Sequence, residues 1–413
     1  MRRPSYNNGC HAPDVGVYAR ILREPGVATI VFATVLGRLP IGISGLAILL
    51  YVQEVTGSFA AAGVCAGALA LGSALGAPLL GRLVDRRGER ALLPLAFVHA
   101  AGLVLVWVLG AADAPTTALA AASLAAGTAL PPVSSVLRSR WPLLLAANPG
   151  LIPSAFALDS VLIELIFVTG PLITTVIVAT VGPEYALAVS AASVLAGTSM
   201  MLAGLHGRGR PDAPEAGSRR FGLGALAAPG LRTLVFASLP VGFALGTIEV
   251  VLPAFSAEEG SKELAGVLLA VWSGASGVAG LVYGARPARG PLEDIHLRFA
   301  FALPIACAVL FAATSPATMA LLVVIAGLPI APLIASRNQL VERVAPRGTA
   351  TEAFTWPLTA LVGGVSLGAA VGGTLVEEYS WPAAVSVSVA VSAAGALLLF
   401  ARRGTLAPSA APA

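Results

Sequence analysis

Four ionisable side chains, Arg38, Asp159, Glu164 and Glu249, stand inside long apolar stretches of this 413-residue sequence. A charge in such surroundings is costly unless it faces a cavity or a partner, so each is a candidate for substrate binding or proton transfer. Arg38 and Glu164 each lie about eleven residues into their stretches, about 16 Å at 1.5 Å per residue, which sets them at one depth where they could meet. A carboxyl–guanidinium pair that opens and closes can take up and release a proton, whereas one that stays closed is only structural. Asp159 lies about 7 Å nearer the start of its stretch than Glu164 and about 140° around the helix, so the two acids cannot share every partner. Arg138 is within reach of Asp159, although with Arg337 it reads first as a topology anchor. Glu249, late in its stretch, reads equally as an interfacial residue, and His99 as a packed polar one. Glu352 reads as a favourable charge at a helix start.

The elements that hold these residues follow from composition. The chain is 57% hydrophobic and only 11% charged, with mean hydropathy +0.86, whereas soluble domains carry about a quarter charged residues. Apolar stretches near 27–52, 58–80, 91–111, 116–137, 153–180, 184–205, 231–253, 264–284, 297–314, 316–335, 351–376 and 381–401 each approach the roughly 20 residues that cross a bilayer core as a helix. Prolines such as Pro40, Pro78, Pro131, Pro132, Pro171 and Pro332 are tolerated where neighbouring helices re-satisfy the backbone. The reading is therefore an all-α integral membrane protein of twelve transmembrane helices in the lipid bilayer; a barrel would need short alternating segments. The basic residues come in short clusters rather than a stripe, which argues against nucleic acid as a partner. The amino-terminal residues lack the pattern of a cleaved signal peptide, and Cys10, Cys65 and Cys307 form no pairing framework.

With the amino terminus inside and the stretches alternating, 23 of the 25 Lys and Arg fall on the cytoplasmic side, leaving Arg38 within a span and Lys262 outside. The positive-inside rule then places both termini in the cytoplasm. The longest polar interruption, 206–230, reads as a cytoplasmic linker between an amino-terminal unit, 1–205, and a carboxy-terminal unit, 231–413. The two units look related. VFAT at 31–34 recurs as VFAS at 235–238, and Ala155-Phe156 recurs as Ala353-Phe354; at that same offset Gly170 falls on Gly368, and Thr174-Thr175 on Gly372-Gly373. Two pseudo-symmetric six-helix bundles follow.

The loop after the second span reads Gly81-Arg82-Leu83-Val84-Asp85-Arg86-Arg87-Gly88-Glu89-Arg90. Gly81 permits close helix approach, Gly88 a tight turn, and Asp85 among Arg86, Arg87 and Arg90 can anchor a charge network at the membrane surface. This loop resembles the major facilitator superfamily signature GxxxDRxGRR, with Glu89 standing where a base is usual and able to pair with a neighbouring Arg. The resemblance implies that Asp85 latches onto the start of the eleventh helix, favoured by the positive helix end, and that the first and fifth helices line a central cavity where Arg38 and Glu164 pair. The second-half counterpart, Gly280 to Arg286, keeps only GxxxG and a base, so such a latch is asymmetric. Gly170-Pro171 sits where proton-coupled drug exporters of the superfamily carry GPxxGG, followed here by Thr174-Thr175; Gly368, Gly372 and Gly373 supply the complementary small residues in the eleventh span.

The resemblance implies a secondary transporter that works by alternating access and needs no cofactor or obligate protein partner. Its partners would be a small-molecule substrate and protons. Few charges in the cavity suit an apolar or amphipathic compound, so proton-coupled export of a drug or secondary metabolite is the leading expectation. Proton-coupled uptake of a nutrient is the second, and a receptor or assembly protein that does not transport is the third. Scarce Lys beside abundant Ala, Gly and Arg suggests a GC-rich bacterial source and a cytoplasmic membrane. No GxxxxGK[ST], HExxH or Cys/His metal cluster is present, so neither an enzyme nor a metal site is expected.

Overall fold

The computed structural model describes residues 16–209, 224–259, 264–286 and 290–406, with only the backbone of Phe59 and Ala60. Cys10, Lys262 and most of the expected linker lie outside the described residues. The helices are α1 (Gly16–Arg23), α2 (Val27–Thr56), α3 (Phe59–Arg87), α4 (Leu92–Ala111), α5 (Thr116–Thr128), α6 (Val133–Leu144), α7 (Ile152–Thr180), α8 (Pro183–Leu205), α9 (Pro229–Glu258), α10 (Leu264–Gly284), α11 (Leu292–Ala308), α12 (Pro316–Gly327), α13 (Ile330–Val344), α14 (Ala350–Glu378) and α15 (Trp381–Ala401). They make twelve spans long and apolar enough to cross a membrane. Large apolar side chains face outward, Leu79 at 63% exposure and Leu321 at 70%, as a lipid-facing surface requires and a water-facing one would not tolerate.

The fourth and tenth spans are each broken. α5 stops at Thr128 and α6 resumes at Val133; α12 stops at Gly327 and α13 resumes at Ile330. Pro131 and Pro132 lie at the first break and Pro329 at the second, where a proline lacks the amide that the helix ladder needs. The breaks fall at corresponding places in the two sets of six spans.

Helices within each set approach closely through small residues. α2 lies on α7 where Gly42 meets Gly170, and on α8 where Gly37 meets Gly197; α9 lies on α14 through Gly242, Gly246, Gly364 and Gly368. With no hydrophobic force between helices in lipid, such backbone proximity supplies the van der Waals contact that holds them together. The two sets meet chiefly through α3 with α14, α6 with α14, and α7 with α10 and α13. α6 and α13 are the halves of their spans nearest the end that carries the α3–α4 turn with Arg86, Arg87 and Arg90. The sets are therefore closed together at this basic end.

Candidate functional site

α2 and α7 both start at the basic end, and helical side chains lean toward their own amino terminus. Arg38 accordingly reaches down to Asp159 rather than across to Glu164. Its Nη2 donates to Asp159 Oδ1 at 2.5 Å, and Arg138 Nε, from α6, donates to Asp159 Oδ2 at 2.6 Å. The expected Arg38–Glu164 pair is thus replaced by an Arg38–Asp159–Arg138 triad, because equal backbone depth ignored the length and lean of the arginine side chain. All three residues are buried. One carboxylate faces two guanidiniums, so the triad is net cationic, and Arg38 Nε and Nη1 and Arg138 Nη1 have no acceptor among the described residues. Arg138 is no surface anchor.

Glu164 lies one and a half turns further along α7 and takes part in the contact between the two sets: Ser276, on α10, donates its hydroxyl to Glu164 Oε1 at 3.2 Å. Glu249, exposed on α9, is within electrostatic range of the Glu164 carboxyl. Neither acid is paired with a cation among the described residues. A carboxyl at the contact between the sets links its ionisation to their spacing, because charge there costs more when the sets close over it. His99 is buried, with Nδ1 2.8 Å from the Ala126 carbonyl oxygen, and takes no part in this arrangement.

At the basic end Asp85 accepts hydrogen bonds from the backbone N–H groups of Thr351, at 3.0 Å, and Glu352, at 2.8 Å, in the first turn of α14. Gly81 makes room for this: a Cβ there would stand 3.0 Å from Glu352 Cα. Gly88 ends α3 at φ 84°, where an L side chain would be strained. The expected network of Asp85 with Arg86, Arg87 and Arg90 does not form, since the amides occupy the carboxylate and those three arginines point outward, exposed. Charge pairing instead uses Arg82, bidentate on Glu352, whose oxygens stand 3.1 and 2.6 Å from Arg82 Nε and Nη2, and Arg140, which binds Glu89. Glu352 is therefore an ion-pair partner as well as a helix-terminal charge. On the pseudo-symmetric side, Ser154 of α7 donates to the Gly284 carbonyl, and Tyr18 of α1 donates to the Leu281 carbonyl at 2.5 Å. Burial pushes the Tyr18 phenol up to about 12.

Of the small-residue positions, Gly170, followed by Pro171 within α7, packs on Gly42; Gly368 packs on the Phe243 backbone and Gly372 on Thr247. Gly373 faces open space and serves no helix contact, because α14 turns it away from α9. Two features escaped the sequence reading: the paired helix breaks, signalled by Pro131-Pro132 and Pro329, and the burial of Arg337, which is 5% exposed rather than an anchor at the surface.

The profile described as Major Facilitator Superfamily matches residues 30–298. No curated protein sequence matches the chain. Among solved structures, a bacterial homologue of the iron transporter ferroportin in an outward-facing state shares 14% identity at TM-score 0.71, over 91% of this chain and 99% of that one. The human organic anion transporter MFSD10 (TETRAN) shares 15% at TM-score 0.69, over 91% and 99%. The E. coli fucose:proton symporter FucP shares 14% at TM-score 0.69, over 93% and 99%. At these identities the likeness is one of fold.

Proposed function

Because the chain belongs to the major facilitator superfamily, and is a multi-pass membrane transporter rather than an enzyme, we propose that it exports a small apolar or amphipathic compound in exchange for protons. The observation that carries this reading is Glu164, a carboxyl on α7 that meets the other set of six spans through the Ser276 hydroxyl of α10 and has no cation paired to it among the described residues. Protonation of Glu164 removes a charge from the interface and favours approach of the two sets; loss of the proton favours separation and hydration of the carboxylate. That is what coupling a proton gradient to alternating access requires. The second element is the closed basic end, where Asp85 holds the first turn of α14. With basic segments facing the cytoplasm, this closure belongs to the half of the cycle in which an exporter releases substrate outside and takes up a proton. The apolar helix surfaces around the interface suit a lipophilic solute, and Gly170-Pro171 on α7 stands as in the drug-exporting branches that the sequence resembles.

The test is accumulation of a panel of fluorescent lipophilic compounds in membrane vesicles under an imposed proton gradient. Export predicts uptake into everted vesicles that collapses when the gradient is dissipated. Accumulation in right-side-out vesicles instead would assign the same acid to a symporter.

A further inference from the structure

Arg138 lies midway along α6 and Arg337 midway along α13, one residue out of register at the offset of 198 that relates the repeats, yet only Arg138 has a carboxylate. At the offset that relates Ala155-Phe156 to Ala353-Phe354, Asp159 falls on Pro357. The two phenylalanine rings of that repeat lie tilted against each other with centroids 5.9 Å apart, which places the two segments side by side in the fold. The second set thus keeps the buried guanidinium and lacks the acid that balances it in the first.

Arg337 is 5% exposed and forms no ion pair among the described residues. Its Nη1 donates to Ser238 Oγ at 3.4 Å and its Nη2 to Asn338 Oδ1 at 3.3 Å, both long and both to neutral acceptors; Nε has no acceptor. Arg138 stands within electrostatic range and adds repulsion. A guanidinium does not shed its proton in a protein, and an uncompensated buried charge is strongly unfavourable. Water can satisfy Nε–H but leaves the charge in place.

Arg337 lines a cavity of about 20 Å³ between α9, α11, α13 and α15, together with Ser238, His296 and Ser392 and otherwise apolar or glycine residues; no carboxylate lines it. The volume exceeds the roughly 10–15 Å³ that one water-sized particle needs and is too small for an organic acid or phosphate. The Ser238 and Ser392 hydroxyls now donate to the Leu234 and Ser388 carbonyls within their own helices, and either can rotate toward an anion.

We propose that this cavity is a binding site for a monovalent anion of halide size, chloride by its chemistry, held by Arg337 with Ser238, Ser392 and His296 around it. The ion supplies in the second set the negative charge that Asp159 supplies in the first. The site is independent of the direction of transport and of Glu164.

The test uses the purified full-length protein in neutral detergent, unfolded thermally at constant ionic strength in sodium chloride, bromide or gluconate. Chloride and bromide should raise Tm saturably over gluconate by about 2–4 °C. Arg337→Gln should abolish that halide shift while unfolding no lower than the wild type in gluconate, the opposite of what loss of a purely structural contact would give. Equal Tm in chloride and gluconate for the wild type, or an undiminished halide shift in Arg337→Gln, overturns the proposal. Should Arg337→Gln fail to fold, anomalous diffraction from bromide-grown wild-type crystals decides: a bromide peak at the Arg337 guanidinium supports the site, and its absence there overturns it.

Discussion

Asp85 and Glu352 are two acids in direct contact: the Asp85 carboxylate accepts the Glu352 backbone N–H at 2.8 Å, while the Glu352 carboxylate turns aside to Arg82 at 2.6 Å. The arrangement separates two negative charges that would otherwise repel, and points one of them at the positive start of α14.

Asp85→Asn keeps one carbonyl acceptor and turns an amide group toward a backbone donor. Charge-assisted bonds of this kind contribute about 1.5–3 kcal/mol each, so the closed-to-open ratio at the basic end should fall about ten- to a hundredfold. Spin labels replacing Arg86 and Arg347, both exposed on opposite sets, should report longer distances, and transport should drop with insertion intact. Unchanged distances and flux would remove Asp85 from the closure.

Asp159→Asn leaves Arg38 and Arg138 buried without a counter-charge, which should cost about 3–5 kcal/mol. Arg38→Met, which leaves Asp159 paired with Arg138, should cost clearly less, and adding Arg38→Met to Asp159→Asn should recover part of the loss. Tryptophan fluorescence during thermal unfolding reads all three. Equal Tm for the two single variants would contradict the triad.

Glu164→Gln keeps the acceptor for the Ser276 hydroxyl and removes the titrating proton. Proton-driven accumulation should vanish while exchange of substrate at equal pH persists. Ser276→Ala should cost only about 0.5–1.5 kcal/mol and leave coupling in place. A Glu164→Gln protein with full proton-driven flux would move coupling elsewhere, and one without any flux to compare in the wild type would favour a receptor.

Gly170 and Gly373 separate packing from mere smallness. A Cβ at Gly170 would stand 2.6 Å from Gly42 Cα, backbone against backbone, whereas one at Gly373 meets nothing within 4 Å. Gly170→Ala should therefore destabilise by about 1–3 kcal/mol and Gly373→Ala should not, as measured by Tm and by yield of monodisperse protein.

Tyr18 ties α1 to α10 as a neutral donor, with its phenol pushed up from 10.0 to about 12. A raised folded-state value means that the tie is fully present below pH 10 and is lost only as pH climbs toward 12. Tyr18→Phe should thus weaken closure by the same amount at pH 6 and pH 9, about 0.5–1.5 kcal/mol. A difference between those two pH values would show that Tyr18 titrates far lower.

Hydropathy, charge placement and one short loop were enough to expect twelve spans, their alternation and the approach of Asp85 to the eleventh span. A bilayer imposes those constraints in one dimension, on length and sign of charge, and a linear sequence carries them directly. Partner choice was decided only in three dimensions. Arg38 chooses Asp159 over Glu164 because its side chain leans toward the basic end; Arg138 and Arg337 are interior because α6 and α13 are enclosed by neighbouring helices. Gly372 packs and Gly373 does not because α14 is rotated by a particular amount against α9. In helices as rich in Ala, Gly and Val as these, every face is apolar, so periodicity marks no inward side, and only the packed bundle determines which way each charged residue points.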